Sequence, residues 1–129
     1  MDRFASLDKA GTKAEFTAAL RQLTKDLALR VIRLHRQLPA TEESRVIGRQ
    51  LLRSATSVGA NYRALCRARS EKEHFAKLSI CIEEADETLF WLELLGEAEI
   101  VPASRLHELH HDYSRVVAIL TTARKTASR

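Results

Sequence analysis

Residues 53–73 read RSATSVGANYRALCRARSEKE, and the fold turns on the break inside them. Ser70 to Glu73 has the form of a capping box, in which a serine hydroxyl takes an orphan backbone N–H while a glutamate three residues on reaches back. A helix therefore starts at Ser70, and the pattern upstream must stop just before it. That upstream pattern predicts a helix from about Thr41, with Ser44 as the rival N-cap, to about Arg69.

Downstream of the break, Phe75, Leu78, Ile82, Ala85, Leu89, Leu92 and Leu95 fall at helical spacing and give one apolar face. Gly96 lies near the end as a C-terminal cap. Pro102 or Ala103 opens a further helix, since proline suits a first turn, and Leu106, Leu109, Tyr113, Val116, Val117 and Leu120 form its stripe. On the other side of the opening stretch, Phe16, Leu20, Leu23, Leu27, Val31 and Leu34 predict a helix from Lys13 to Leu38, closed by Pro39. Four long helices joined by short loops read as an all-α fold, an antiparallel up-down-up-down four-helix bundle. It is expected over residues 13–125, after a flexible N-terminal segment at 1–12 and before a basic tail at 126–129.

Composition agrees. The 129 residues are 45% hydrophobic but only 5% aromatic, with 4 glycines and 2 prolines, so helix breakers are few. Cys66 and Cys81 lie inside helical patterns and read as reduced, buried thiols of a cytoplasmic protein. No apolar run approaches the roughly 20 residues of a membrane span, and the opening MDRFASLDKAGTKAEF lacks the apolar centre of a signal peptide.

Charge is shared unevenly. Residues 45–69 hold six arginines and no acid, whereas residues 71–99 hold nine acids against Lys72 and Lys77. On an ideal wheel with Arg45 at zero, Arg49 falls near ~40°, Arg53 near ~80°, Arg63 near ~0° and Arg67 near ~40°. Five arginines thus share one arc if the helix is straight. A separate sector near ~120–180° is small and polar, with Gln50, Ser54, Ser57 and Asn61. Small side chains let another backbone come close, and a second protein surface is one reason for them outside the core. The arginines read either as a solvated or ion-paired face or as a row of phosphate contacts. Arginine's planar fork suits carboxylate and phosphate alike.

LRSATSVGANYRALCRARS, followed by FAKLSICIEEADETLFWLELL, resembles the four-helix-bundle proteins encoded in intervening sequences of large-subunit ribosomal RNA genes. The resemblance rests on Arg53-Ser54-Ala55-Thr56-Ser57, Ala60-Asn61-Tyr62-Arg63, Lys77-Leu78, Glu84-Ala85, Glu87-Thr88 and Trp91-Leu92, within residues 51–95. Where that family tends to read Asn-Tyr-Arg-Glu-Ala, this chain has Asn61-Tyr62-Arg63-Ala64-Leu65 and lacks the acid. The resemblance implies an antiparallel bundle and a ring-shaped homopentamer. It also implies a relation to the accessory protein of diversity-generating retroelements, a basic pentamer that binds nucleic acid and a reverse transcriptase.

Other candidate chemistry is thinner. His107, Glu108 and His111 match H-E-x-x-H as letters, with His110 alongside. A zinc hydrolase also needs a third ligand and a cleft. These histidines flank the apolar stripe of Leu106, Leu109 and Tyr113, so they read as a solvated face. Glu84 and Glu87 lie three apart without the histidine of a di-metal bundle and read as partners for arginine, within the chain or across a subunit boundary. Trp91 reads as core or interface.

The resulting expectation is a non-enzymatic oligomer without cofactor or metal. It would bind RNA or DNA through Arg45, Arg49, Arg53, Arg63 and Arg67, and assemble through Ser54, Ser57, Asn61, Glu84 and Glu87. The alternative is a scaffold whose arginines are consumed by ion pairs.

Overall fold

The computed structural model describes residues 3–127; residues 1, 2, 128 and 129, the ends of the expected segment and tail, lie outside the described residues. Four long helices make the body: α2 (Lys13–Arg36), α3 (Glu42–Leu65), α4 (Glu71–Glu97) and α5 (Ala103–Ala127), preceded by a single turn, α1 (Ala5–Asp8). The start signals act as their chemistry dictates. Thr12, Thr41 and Ser70 are extended, and their hydroxyls accept from the N–H of Glu15, Ser44 and Glu73. All-α architecture and helix packing into a bundle are as the hydrophobic spacing indicates. Partner residues run in opposite directions along neighbouring helices: Ser54 meets Thr88 and Val58 meets Cys81 across α3 and α4. Arg30 meets Asp112 and Gln37 meets Arg105 across α2 and α5.

Helix stops differ from expectation, α2 closing at Arg36 rather than Leu38. α3 ends at Leu65 rather than near Arg69. Ser70 must be extended to cap α4, so the chain leaves the helix earlier through a tight turn in which Arg67 N–H donates to Ala64 and Ala68 N–H to Leu65. Gly96 is not the cap of α4. The helix continues to Glu97, and the left-handed residue is Glu99, at φ 59°. Its N–H donates to the Gly96 carbonyl while that of Ile100 reaches Leu95, the paired bonds of a Schellman motif.

The core runs the length of the bundle. Leu20, Leu27 and Val31 of α2 pack with Leu51 and Val58 of α3, Leu78, Leu92 and Leu95 of α4, and Tyr113, Val116 and Leu120 of α5. The segment before α2 joins it: Phe4 is 1% exposed and Leu7 is buried. Arg115 lays its guanidinium over the Phe4 ring at 3.7 Å and also pairs with Asp8. Arg3 reaches Glu108 and Asp112 on α5. The segment expected as flexible is, over residues 3–8, docked on the seam between α2 and α5.

Candidate nucleic-acid interface

The capping threonine Thr41 sets the phase of α3, which carries Arg45, Arg49, Arg53 and Arg63, all exposed. Arg67 lies one residue beyond the C-cap, so the row of five becomes four on the helix and one in the turn. Arg45 donates to the Ala40 carbonyl at 3.2 Å and folds back over the α2–α3 turn.

Arg53 has a different fate. Its guanidinium donates to Glu84 at 2.7 Å and to Glu87 at 2.5 Å, and its Nε to Gln50 at 3.2 Å. Trp91 Nε1 donates to the same Glu87 oxygen at 3.1 Å. The Arg53 hydrogen bond is the main reason the Glu87 carboxyl titrates below its ordinary range, and the same pairing raises Arg53. Half of the Arg53 side chain is in water, so the cluster is worth on the order of 1 kcal/mol. Among the described residues, Arg49, Arg63 and Arg67 form no ion pair, which leaves their donors to solvent or a ligand. The arginine row thus divides into one member tied to α4 and others held outward.

The residues expected at a subunit boundary divide as well. Ser54 is 0% exposed, its hydroxyl bonded to the Leu51 carbonyl and 2.9 Å from the Thr88 hydroxyl. It has no surface to offer an outside partner; its small size lets α3 and α4 approach, and this corrects its assignment. Ser57 and Asn61 are half-buried, and Asn61 Nδ2 donates to both the Ser57 carbonyl and its hydroxyl. Glu84 and Glu87 are half-buried and bind Arg53 of their own chain.

Beside the free arginines lies an open groove between α2 and α3, about 570 Å³ in volume. Arg49 stands on one wall and His35 and Arg36 on the other, with Ile32 and Leu52 between them. The sequence reading passed over His35 and Arg36. The signal was there: the last turn of α2 holds Arg33, His35 and Arg36, and a short turn brings it alongside the start of α3.

Of the histidines of HELHHD, two share a cleft and one stands apart. His107 and His110 both line a cleft of about 300 Å³ at the α4–α5 end, where His110 pairs with Glu93 of α4 at 2.9 Å, and His111 is exposed outside it. Among the described residues, no three His, Cys, Asp or Glu side chains are placed to hold a metal ion. Cys66 and Cys81 are free thiols. Burial pushes the Cys81 thiol up to about 12, so it is no nucleophile near neutral pH. No helix is long and apolar enough among these residues to cross a membrane.

Comparison with known proteins adds a match of residues 18–122 to the family model described as 23S rRNA-intervening sequence protein. The crystal structure of a protein of unknown function from the S23 ribosomal protein family of Bacteroides thetaiotaomicron is 31% identical. It covers 81% of this chain and 97% of its own, with a TM-score of 0.76. No curated protein matches the chain.

Proposed function

Starting from the fact that the chain belongs to the 23S rRNA-intervening sequence protein family, we propose that it is a non-enzymatic, homo-oligomeric nucleic-acid-binding protein. The carrying observation is that Arg49, Arg63 and Arg67 stand exposed without a carboxylate partner among the described residues. Arginine keeps its charge at every physiological pH, so a surface built from it offers anions a permanent cation and no general acid or base. Phosphate contacts of this kind position a protein on a strand without reading its bases. Assembly into a ring of five, and a reverse transcriptase as protein partner, are supported by the resemblance to retroelement accessory proteins. A second reading, a scaffold held by ion pairs, is favoured only by Arg53 and its two glutamates.

The test is binding of a fluorescent single-stranded RNA, read by anisotropy from about 50 to about 200 mM salt. Arg49→Gln with Arg63→Gln lowers the log–log salt slope by about 1.4, two phosphates' worth on a single strand. The assembly measured by light scattering stays the same size. An unchanged slope sinks the phosphate reading, and dissociation of the assembly transfers these arginines to the scaffold.

A further inference from the structure

Next to the groove between α2 and α3, the His35 ring that lines one wall rests against a glycine of α3. A Cβ on Gly48 would stand 2.7 Å from Leu38 Cδ1 and 3.2 Å from His35 Cδ2, so glycine lets the imidazole settle against α3 without displacing either side chain. Glycine within a helix costs roughly 0.5–1 kcal/mol relative to alanine, and here it fixes the position of a half-buried ring at a groove wall. Further along, the helices approach again at Gly59, whose Cβ would lie 3.6 Å from the Thr24 carbonyl.

Between these approaches the outer side of the seam stays open. Half-buried Ile32 and Leu52 form its apolar floor, and Arg36 and Arg49 stand over it with no ion pair among the described residues. Arg53 also borders the groove, but its guanidinium is held by Glu84 and Glu87. Thr56 lies within donating reach of the Leu52 carbonyl at 2.8 Å, so its proton stays on α3. No carboxylate lines the groove, which disfavours a cation and favours an anion. An apolar floor, a ring at one wall and two unpaired guanidinium groups together fit a flat, weakly polar body joined to a phosphate.

We propose that this groove binds one nucleotide of a single-stranded nucleic acid. The phosphate sits between Arg36 and Arg49, and the base lies over Ile32 and Leu52 beside His35. A duplex keeps its bases stacked inside and cannot present one to the floor, whereas a single strand can. This rests on the nucleic-acid reading above and deepens it, by adding α2 to a surface so far assigned to α3.

The test compares two variants of equal charge. Arg36→Gln removes a groove cation, and Lys25→Gln removes an exposed α2 cation three turns away. With a ten-nucleotide oligouridine, Arg36→Gln weakens binding about tenfold and Lys25→Gln less than twofold. The His35 ring resonances of the full chain shift on adding the strand, but not on adding inorganic phosphate or an RNA duplex of the same length. Equal weakening by the two variants overturns the groove while leaving a diffuse nucleic-acid surface intact. Uridine monophosphate that binds as tightly as the strand, and moves the same resonances, overturns the choice of a strand in favour of a free nucleotide. Failure of the unmodified protein to bind any strand at low salt defeats the nucleic-acid reading, and this inference with it.

Discussion

Between α3 and α4 the buried part of the contact is made by Ser54, Ala55, Val58, Cys81, Ala85 and Thr88, all at 0% exposure, and the Arg53 pair with Glu84 and Glu87 lies at its solvent edge. Between α2 and α5 it is made by Arg30 and Asp112 at 2.7 Å, by Gln37 with Arg105, and by Phe4 and Leu7 brought in from the N-terminal segment. The first seam is closed by making side chains small. The second is filled by adding a piece of chain and by opposing charges. Small residues allow backbones to approach, and the polar groups that fit there are short neutral hydroxyls satisfied by nearby carbonyls. A wider seam admits long side chains, whose charged heads need partners of opposite sign once water is excluded.

The largest expected difference follows from that contrast. Asp112 is 6% exposed and accepts from Arg30. Asp112→Ala leaves that arginine without its carboxylate and should cost about 3 kcal/mol, read from the denaturant midpoint. A loss under about 1 kcal/mol would make the charged seam no more than a surface pair.

The hydroxyl seam responds less. Thr88→Val and Ser54→Ala should each cost about 1 kcal/mol, and the double variant less than their sum, because the two hydroxyls share one contact. Strict additivity would show that Ser54 and Thr88 bind only their own helices.

The smallest effect separates two glycines of α3 and sharpens the argument from close approach. At Gly59 a Cβ would meet the Thr24 carbonyl at 3.6 Å, ordinary contact, so Gly59→Ala should gain about 0.5 kcal/mol through helix propensity. Gly48→Ala should lose stability, because its Cβ would stand 2.7 Å from Leu38. Thermal midpoints that move the same way for both would break the distinction.

Helix positions were legible because spacing and capping are local. Thr41 and Ser70 announce their helices through side chains acting three residues away. What escaped depends on partners far along the chain. Nothing near Phe4 says that Arg115 will cover it, and nothing near Ser54 says that Thr88 will bury it. The wheel put Ser54 in a small polar sector outside the core, because it could not tell which neighbouring helix would occupy that side. For the same reason it gathered Arg53 with Arg49 and Arg63: angle on one helix does not reveal the carboxylates of the next. The groove was hidden twice over, since half of it lies on α2, and Gly48 acquires its meaning only once His35 is placed against it.

The basic α3 and acidic α4 lie side by side, and that adjacency gives the chain a transverse electric dipole. Under the proposed nucleic-acid reading, the field of a polyanion would act on this dipole as a torque, turning the α3 side toward the strand before any contact forms. Its reach is set by the ionic atmosphere, about 8 Å at physiological salt, so the turning happens in the last layer or two of solvent. Orientation would then precede docking, and added salt would slow the encounter first by blurring the direction of approach.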